Sequence, residues 1–261
     1  MNATKWLGRI FRGLVYVFLL CPLVTVVFTA FSDTNRVVFP PRGFTLEWFE
    51  KAIHSSEFIN SFVLSIQIAS ISVIIACVLG TMISLYFWKT GGKARAFFEM
   101  IFMSPIVVPT IISAVAFLQY YYLFGDVLTT FWKLCLTYAA IEIPYVIRTV
   151  TACLVGLDAS FEEASLVLGA SPVKTLFKVT LPCIKTGIVG GAVFSFFVAF
   201  DEAVIIMFMK NAKCITFPMR LYSYITESFT PLISAIATIF IIFAIIIIMI
   251  VEKTIGLSKL Y

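Results

Sequence analysis

"EEASLVLGASPVKTLFKVTLP", residues 162–182, separates two long apolar runs, and its spacing is that of two short helices joined by a turn. Ser160 stands three residues before Glu163, the capping-box pattern in which each side chain takes up the other's free backbone N–H. Asp158 adds negative charge where a helix N-terminus is positive. Gly169 is placed to end the first helix in the left-handed conformation, which glycine adopts without strain. Ser171 and Pro172 restart the chain, serine as cap and proline at the first helical position, where its missing N–H is no loss. The second helix carries Lys174 and Lys178 on one face and is expected to break at Leu181-Pro182. These features describe a rigid two-helix knob.

Both flanks of the knob are apolar. Of the 261 residues, 61% are hydrophobic and only 13% are charged, against about 25% charged in soluble domains. Mean hydropathy is +1.04, and 27 phenylalanines have no place in a water-soluble fold of this size. Continuous apolar runs favour spanning helices over a barrel, whose strands alternate. Six runs stand out, at 14–31, 61–88, 97–124, 132–155, 186–209 and 232–251. The expected fold class is all-α. It is a polytopic bundle of six transmembrane helices forming one domain over 1–261, with the knob at 158–182 between the fourth and fifth. The first run follows a basic "MNATKWLGRIFRG" and has 18 residues. A signal peptide's apolar region has about 7–15, so this is expected to be an uncleaved span.

With the N-terminus inside, twelve of the 19 Lys and Arg fall on the cytoplasmic side. That orientation puts both termini and the knob in the cytoplasm. Trp6, Trp48, Trp88 and Trp132 stand in or beside the ends of the runs, where aromatic belts form. The longest outer loop contains "TLEWFEKAI", which has helical spacing and Thr45 as a cap. It predicts a short amphipathic helix on the outer surface.

The formal charge of +5 follows from basic flanks of spans and does not imply nucleic acid. Six cysteines are scattered singly with one histidine, His54, and no CxxC occurs, so no metal site is expected. No GxxxxGK[ST] occurs; "GGKARA" at 91–96 has neither the spacing nor the hydroxyl. Four carboxylates stand within runs, where ionisable groups are costly; Glu99 lies at the start of its run, and Glu142, Asp201 and Glu202 are the functional candidates. Glu142, two residues before Pro144, faces a pathway or is satisfied by a neighbouring helix; both readings stay open. Asp201 and Glu202 are adjacent, so on one helix they point about 100° apart and only one can face a given site.

The spacing Glu-Ala-Ser, three residues, Gly, nine residues, Val-x-Leu-Pro resembles the EAA signature of permease subunits in bacterial binding-protein-dependent ABC importers. Glu163, Ala164, Gly169, Leu181 and Pro182 match it; Ser165 replaces its second alanine and Val179 its isoleucine. The resemblance implies that the first short helix docks on a cytoplasmic ATPase, with Ser160, Glu163, Ala164, Ser165, Gly169, Leu181 and Pro182 as coupling residues. It further implies two ATPase subunits that hold the ATP and magnesium, no cofactor and no catalysis in this chain, and a second permease subunit, identical or homologous. An extracytoplasmic solute-binding protein and a place in the bacterial inner membrane complete the set. "IPYVIRTVTACLVGLD", "FSFFVAFDEAVIIMF" and "FPMRLYSYI" are similar to the polyamine (spermidine/putrescine) branch. Carboxylates in a low-dielectric channel suit a dication. Related branches carry iron, phosphonates, opines or sulfate. An ATP-independent secondary transporter would suit the prolines at 105 and 109 but gives no reason for the knob.

Overall fold

The computed structural model describes residues 2–90, 93–123, 125, 127–209, 211 and 214–255. Lys210, Lys213 and Lys259, which enter the charge count, lie outside them. The elements are α1 (Asn2–Thr29), α2 (Glu47–His54), α3 (Ser56–Lys89), α4 (Lys93–Val107), α5 (Thr110–Leu123), α6 (Thr130–Val155), α7 (Ser160–Val167) and α8 (Pro172–Thr175). A π-helical turn (Leu176–Thr180) leads to α9 (Leu181–Cys183), α10 (Lys185–Asp201), α11 (Val204–Met209), α12 (Phe217–Glu227) and α13 (Pro231–Ile255). Among the described residues the fold is all-α; the one exception is an isolated bridge between Asn211 and Cys214.

Four helices are unbroken, long and apolar enough to cross a membrane: Lys5–Thr29, Ser56–Lys89, Thr130–Val155 and Pro231–Lys253. Two bent pairs raise the number to as many as six. The run expected as the third span, 97–124, divides into α4 and α5, which meet at 106°. Pro109 stands at the break. Its ring removes an N–H and pushes Val108 out of the helical region, whereas Pro105 is absorbed inside α4. The run expected as the fifth, 186–209, also divides, between Asp201 and Val204. Upstream, the helical stretch Pro172–Cys183 meets Lys185–Asp201 at 65°.

The chain forms two compact units, Ser61–Met219 and Met1–Asn60 with Arg220–Tyr261. The first unit is built on α6, against which α10 and α4 pack, while α11 packs on α5. Glycines cut the notches that let helices approach. A Cβ added at Gly187 would lie 2.8 Å from Cys153 Sγ and from the Thr149 carbonyl oxygen. At Gly191 it would lie 2.5 Å from Thr149 Oγ1. The two residues are one turn apart, the small-xxx-small arrangement by which membrane helices gain van der Waals contact where lipid offers no hydrophobic drive. Gly80 on α3 does the same against Val146 of α6. Below these notches Ala76, Val146, Val150, Leu154 and Ile184 form a buried apolar cluster, joined by Leu181.

In the second unit α1 and α2 pack on α13. Thr29 donates to Ser234 Oγ at 3.0 Å, and Glu57 pairs with Arg220 at 3.2 Å. The amphipathic helix expected in "TLEWFEKAI" forms as α2, with one face buried. Trp48 and Ala52 are buried, and the Trp48 indole N–H donates to the Ser32 carbonyl at 2.7 Å. Residues 5–24 of α1 are exposed along their whole length.

Candidate functional site

The knob forms, with its helix start differently made. Ser160 is the first helical residue of α7, and no side chain caps from the preceding position, so the expected capping box is absent. The reason is one residue upstream of that position. Asp158 Oδ1 accepts from the Ser160 N–H at 2.9 Å, so the chain turns in before Ser160 can adopt cap geometry. Hydrogen bonds from the Ser160 backbone N–H and side chain hold the Asp158 carboxyl below its ordinary range.

Gly169 ends the helix as expected, at φ +85°. The Gly169 N–H donates to the Leu166 carbonyl at 2.9 Å and the Ala170 N–H to the Ser165 carbonyl at 3.1 Å. This is the Schellman pairing. Ser171 caps α8, its hydroxyl accepting from the Lys174 N–H at 3.3 Å, with Pro172 in the first turn. The expected break at Leu181-Pro182 falls elsewhere. The chain widens into the π-helical turn, stays helical through Pro182, and bends at Ile184. The wide turn gives room for a proline ring that would strike the carbonyl four residues back in a regular helix. Ile184, fully buried, and Leu181 fix the bend in the α6 cluster.

α7 presents two different sides. Phe161, Val167 and Leu168 are exposed at 56%, 87% and 87%, and Ser160, Glu163 and Ala164 are exposed with them. Together Phe161, Val167 and Leu168 give the knob an apolar tip. The other side is tied down. Ser165 shares a 2.9 Å hydrogen bond with the buried Thr175 hydroxyl. Glu162 pairs with Lys89, the last residue of α3, at 3.0 Å and accepts from the Thr180 hydroxyl.

The three candidate carboxylates do not come together. Glu142 on α6 is 1% exposed; one oxygen accepts from Ser72 of α3 at 3.1 Å, and the other has no partner among the described residues. Asp201 is exposed at the end of α10. Glu202 stands just outside the helix, its carboxylate accepting from the N–H groups of Val204 and Ile205 at 2.7 and 3.1 Å. It thereby caps α11 and holds the break open. The Tyr138 hydroxyl donates to its backbone carbonyl at 3.2 Å. The adjacent carboxylates are thus separated by the end of a helix, and the angle expected on one continuous helix does not apply.

Ser72, Lys89, Glu162 and Thr180 were not foreseen as site residues. The only local signal was Glu162 itself, a second acid beside Glu163 that a helix must aim about 100° away.

Comparison with known proteins agrees with this architecture. The family described as binding-protein-dependent transport system inner membrane component matches residues 72–255. The spermidine/putrescine transport system permease protein PotC of Haemophilus influenzae is 31% identical over 91% of this chain and 91% of its own. The putrescine transport system permease protein PotI of Escherichia coli strain K12 is 26% identical over 86% of this chain and 82% of its own. A bacterial alginate ABC transporter, solved with an alginate pentasaccharide-bound periplasmic protein, shares the fold at TM-score 0.68 and 17% identity, covering 96% of this chain and 94% of that one. The chain belongs to the binding-protein-dependent transport system inner membrane components and is a multi-pass permease subunit of an importer of that class.

Proposed function

We propose that this permease passes polyamines of the spermidine and putrescine type across the inner membrane. The observation that carries the proposal is the 31% identity, over nearly the whole of both chains, with a spermidine/putrescine permease. Asp201 is the pathway carboxylate in this reading. A charge exposed at a span end must face water or a protein partner, since lipid would not tolerate it. Glu202 shapes the break beside it. Glu142, closed between α3 and α6, joins the pathway only in a conformation that parts those helices.

The knob faces the cytoplasm, as the Lys and Arg bias supports, and receives an ATPase subunit. Its apolar tip at Phe161, Val167 and Leu168 is the docking surface, with Ser160, Glu163 and Ala164 around it. Ser165, Gly169, Leu181 and Pro182 hold its form. Two ATPases carry the ATP and magnesium, a second permease subunit completes the pathway, and an extracytoplasmic binding protein delivers the cargo. Reconstitution of the full complex in liposomes tests the substrate. ATP-dependent uptake of labelled spermidine or putrescine is expected; a complex that takes up phosphonate, opine, iron or sulfate but no polyamine would overturn it.

Gly169→Val tests the knob. No atom lies within 4 Å of the added Cβ, so the whole effect is backbone strain at φ +85°. A β-branched residue there costs about 1–2 kcal/mol, enough to lower ATPase occupancy and uptake roughly tenfold. Co-purification of the ATPase with unchanged uptake would contradict the docking role.

A further inference from the structure

Glu162 stands beside the signature glutamate but points about 100° away from it, towards the body of the protein. Its side chain is 15% exposed, and both carboxylate oxygens are engaged. One meets Lys89 Nζ at 3.0 Å; the other accepts from Thr180, which is fully buried. These partners belong to different parts of the chain. Lys89 ends the long span α3. Thr180 ends the π-helical turn and is followed directly by Leu181, which packs in the cluster of Val146, Val150, Leu154 and Ile184. From Ile184 the chain turns into α10 and runs to Asp201. Ser165, one turn along the same side of α7, reaches only Thr175. Among the contacts described, Glu162 is thus the α7 side chain that links the span α3 to the π-helical turn leading towards α10.

From this geometry we infer that Glu162 is a positioning residue for transport: it joins α7 to α3 and to the π-helical turn that leads through the buried Leu181 and Ile184 into α10, so that one displacement of α7 moves both spans. The inference rests on the reading of α7 as the ATPase-docking helix. A two-ended carboxylate suits the task. Charge-assisted bonds are short and directional, and a mostly buried carboxylate deprived of its partners is left uncompensated. Motion that broke only one end would strand the charge, so α7, α3 and α10 move together. Lys89 is half exposed, so the lysine end is the weaker one and Thr180 the firmer.

The test uses the full reconstituted complex with its ATPases, partner permease and binding protein, and measures uptake per ATP hydrolysed. Leu168→Asp is the control for docking and should release the ATPase. Glu162→Ala should keep the ATPase bound, because the apolar tip is untouched, while uptake per ATP falls about tenfold, the loss expected for hydrogen bonds to a charge. Glu162→Gln, which keeps the Thr180 bond and the side-chain shape, should lose less, about threefold. The exchange Lys89→Glu with Glu162→Lys rebuilds both bonds, since the threonine hydroxyl also accepts, and should recover most of the coupling. Rescue by exchange is not expected of a residue that merely fills space. If Leu168→Asp releases the ATPase but neither Glu162 variant changes uptake per ATP, the joint is refuted and docking stands. If Glu162→Ala loses the ATPase and the exchange restores nothing, the joint is likewise refuted. If Leu168→Asp leaves the ATPase in place, the docking reading fails and takes the joint with it.

Discussion

Gly191→Leu is expected to destabilise the fold and lower the yield of folded protein. An added Cβ meets Thr149 Oγ1 at 2.5 Å and the Val146 Cα at 3.2 Å, so backbone as well as side chain must give way. Overfilling a packed site costs about 1–3 kcal/mol, and leucine adds three further carbons in a notch sized for none. A loss of about 3 kcal/mol is a large share of a total stability of about 5–15 kcal/mol. It should lower the melting temperature by roughly 10 °C and cut the yield of monodisperse protein. Gly190→Leu is the matched control. It lies one residue away on α10, with nothing within 4 Å of its added Cβ. Thermal unfolding of both variants in detergent, followed by size exclusion, decides the matter. Equal melting temperatures would mean that α6 and α10 do not pack through this notch.

Asp201→Asn has the second large effect, on transport. Asparagine keeps the shape and removes the charge. A dication about 4 Å from a carboxylate at an effective dielectric near 20 gains about 4 kcal/mol per charge. With solvent screening, a fall of about a hundredfold in polyamine uptake is expected from Asp201→Asn, most of it in apparent affinity if the contact is made on binding. Asp201→Glu should retain most uptake. Glu202→Gln should change uptake less than about threefold, because an amide oxygen can still accept from the N–H groups of Val204 and Ile205. A hundredfold loss in Glu202→Gln beside a normal Asp201→Asn would reverse the two roles.

The knob was legible because its signals are local. Gly169 and Ser171-Pro172 act on the next few residues, and the structure uses both as the residue types suggest. The capping box failed for an equally local reason: Asp158 took the Ser160 N–H first. The apolar runs foretold where spans lie, since length and hydropathy need no partner. Their bends were less legible. Pro109 lay inside a run read as one span, so its 106° bend was missed, and Glu202 gave no sign that it would cap the helix after it. Pairings between distant residues were not legible at all. Ser72 finds Glu142 and Lys89 finds Glu162 across some 70 positions, and only the packing of α3 beside α6 and α7 brings them together. α12 went unseen because a short helix with a mixed polar face lacks the run that reveals a span.

The π-helical turn gives the nine-residue interval after Gly169 a meaning as a length. The Leu181 N–H reaches back five residues to the Leu176 carbonyl where a regular helix reaches back four, so the chain is wound with one residue to spare. Shedding that residue would rotate everything upstream by about 100° relative to α10. Thr180 would still sit over the cluster, but Glu162 would no longer lie opposite it. The interval behaves like the throw of a crank: its residues can be exchanged, while its count cannot change by one without taking the arm out of phase with the shaft.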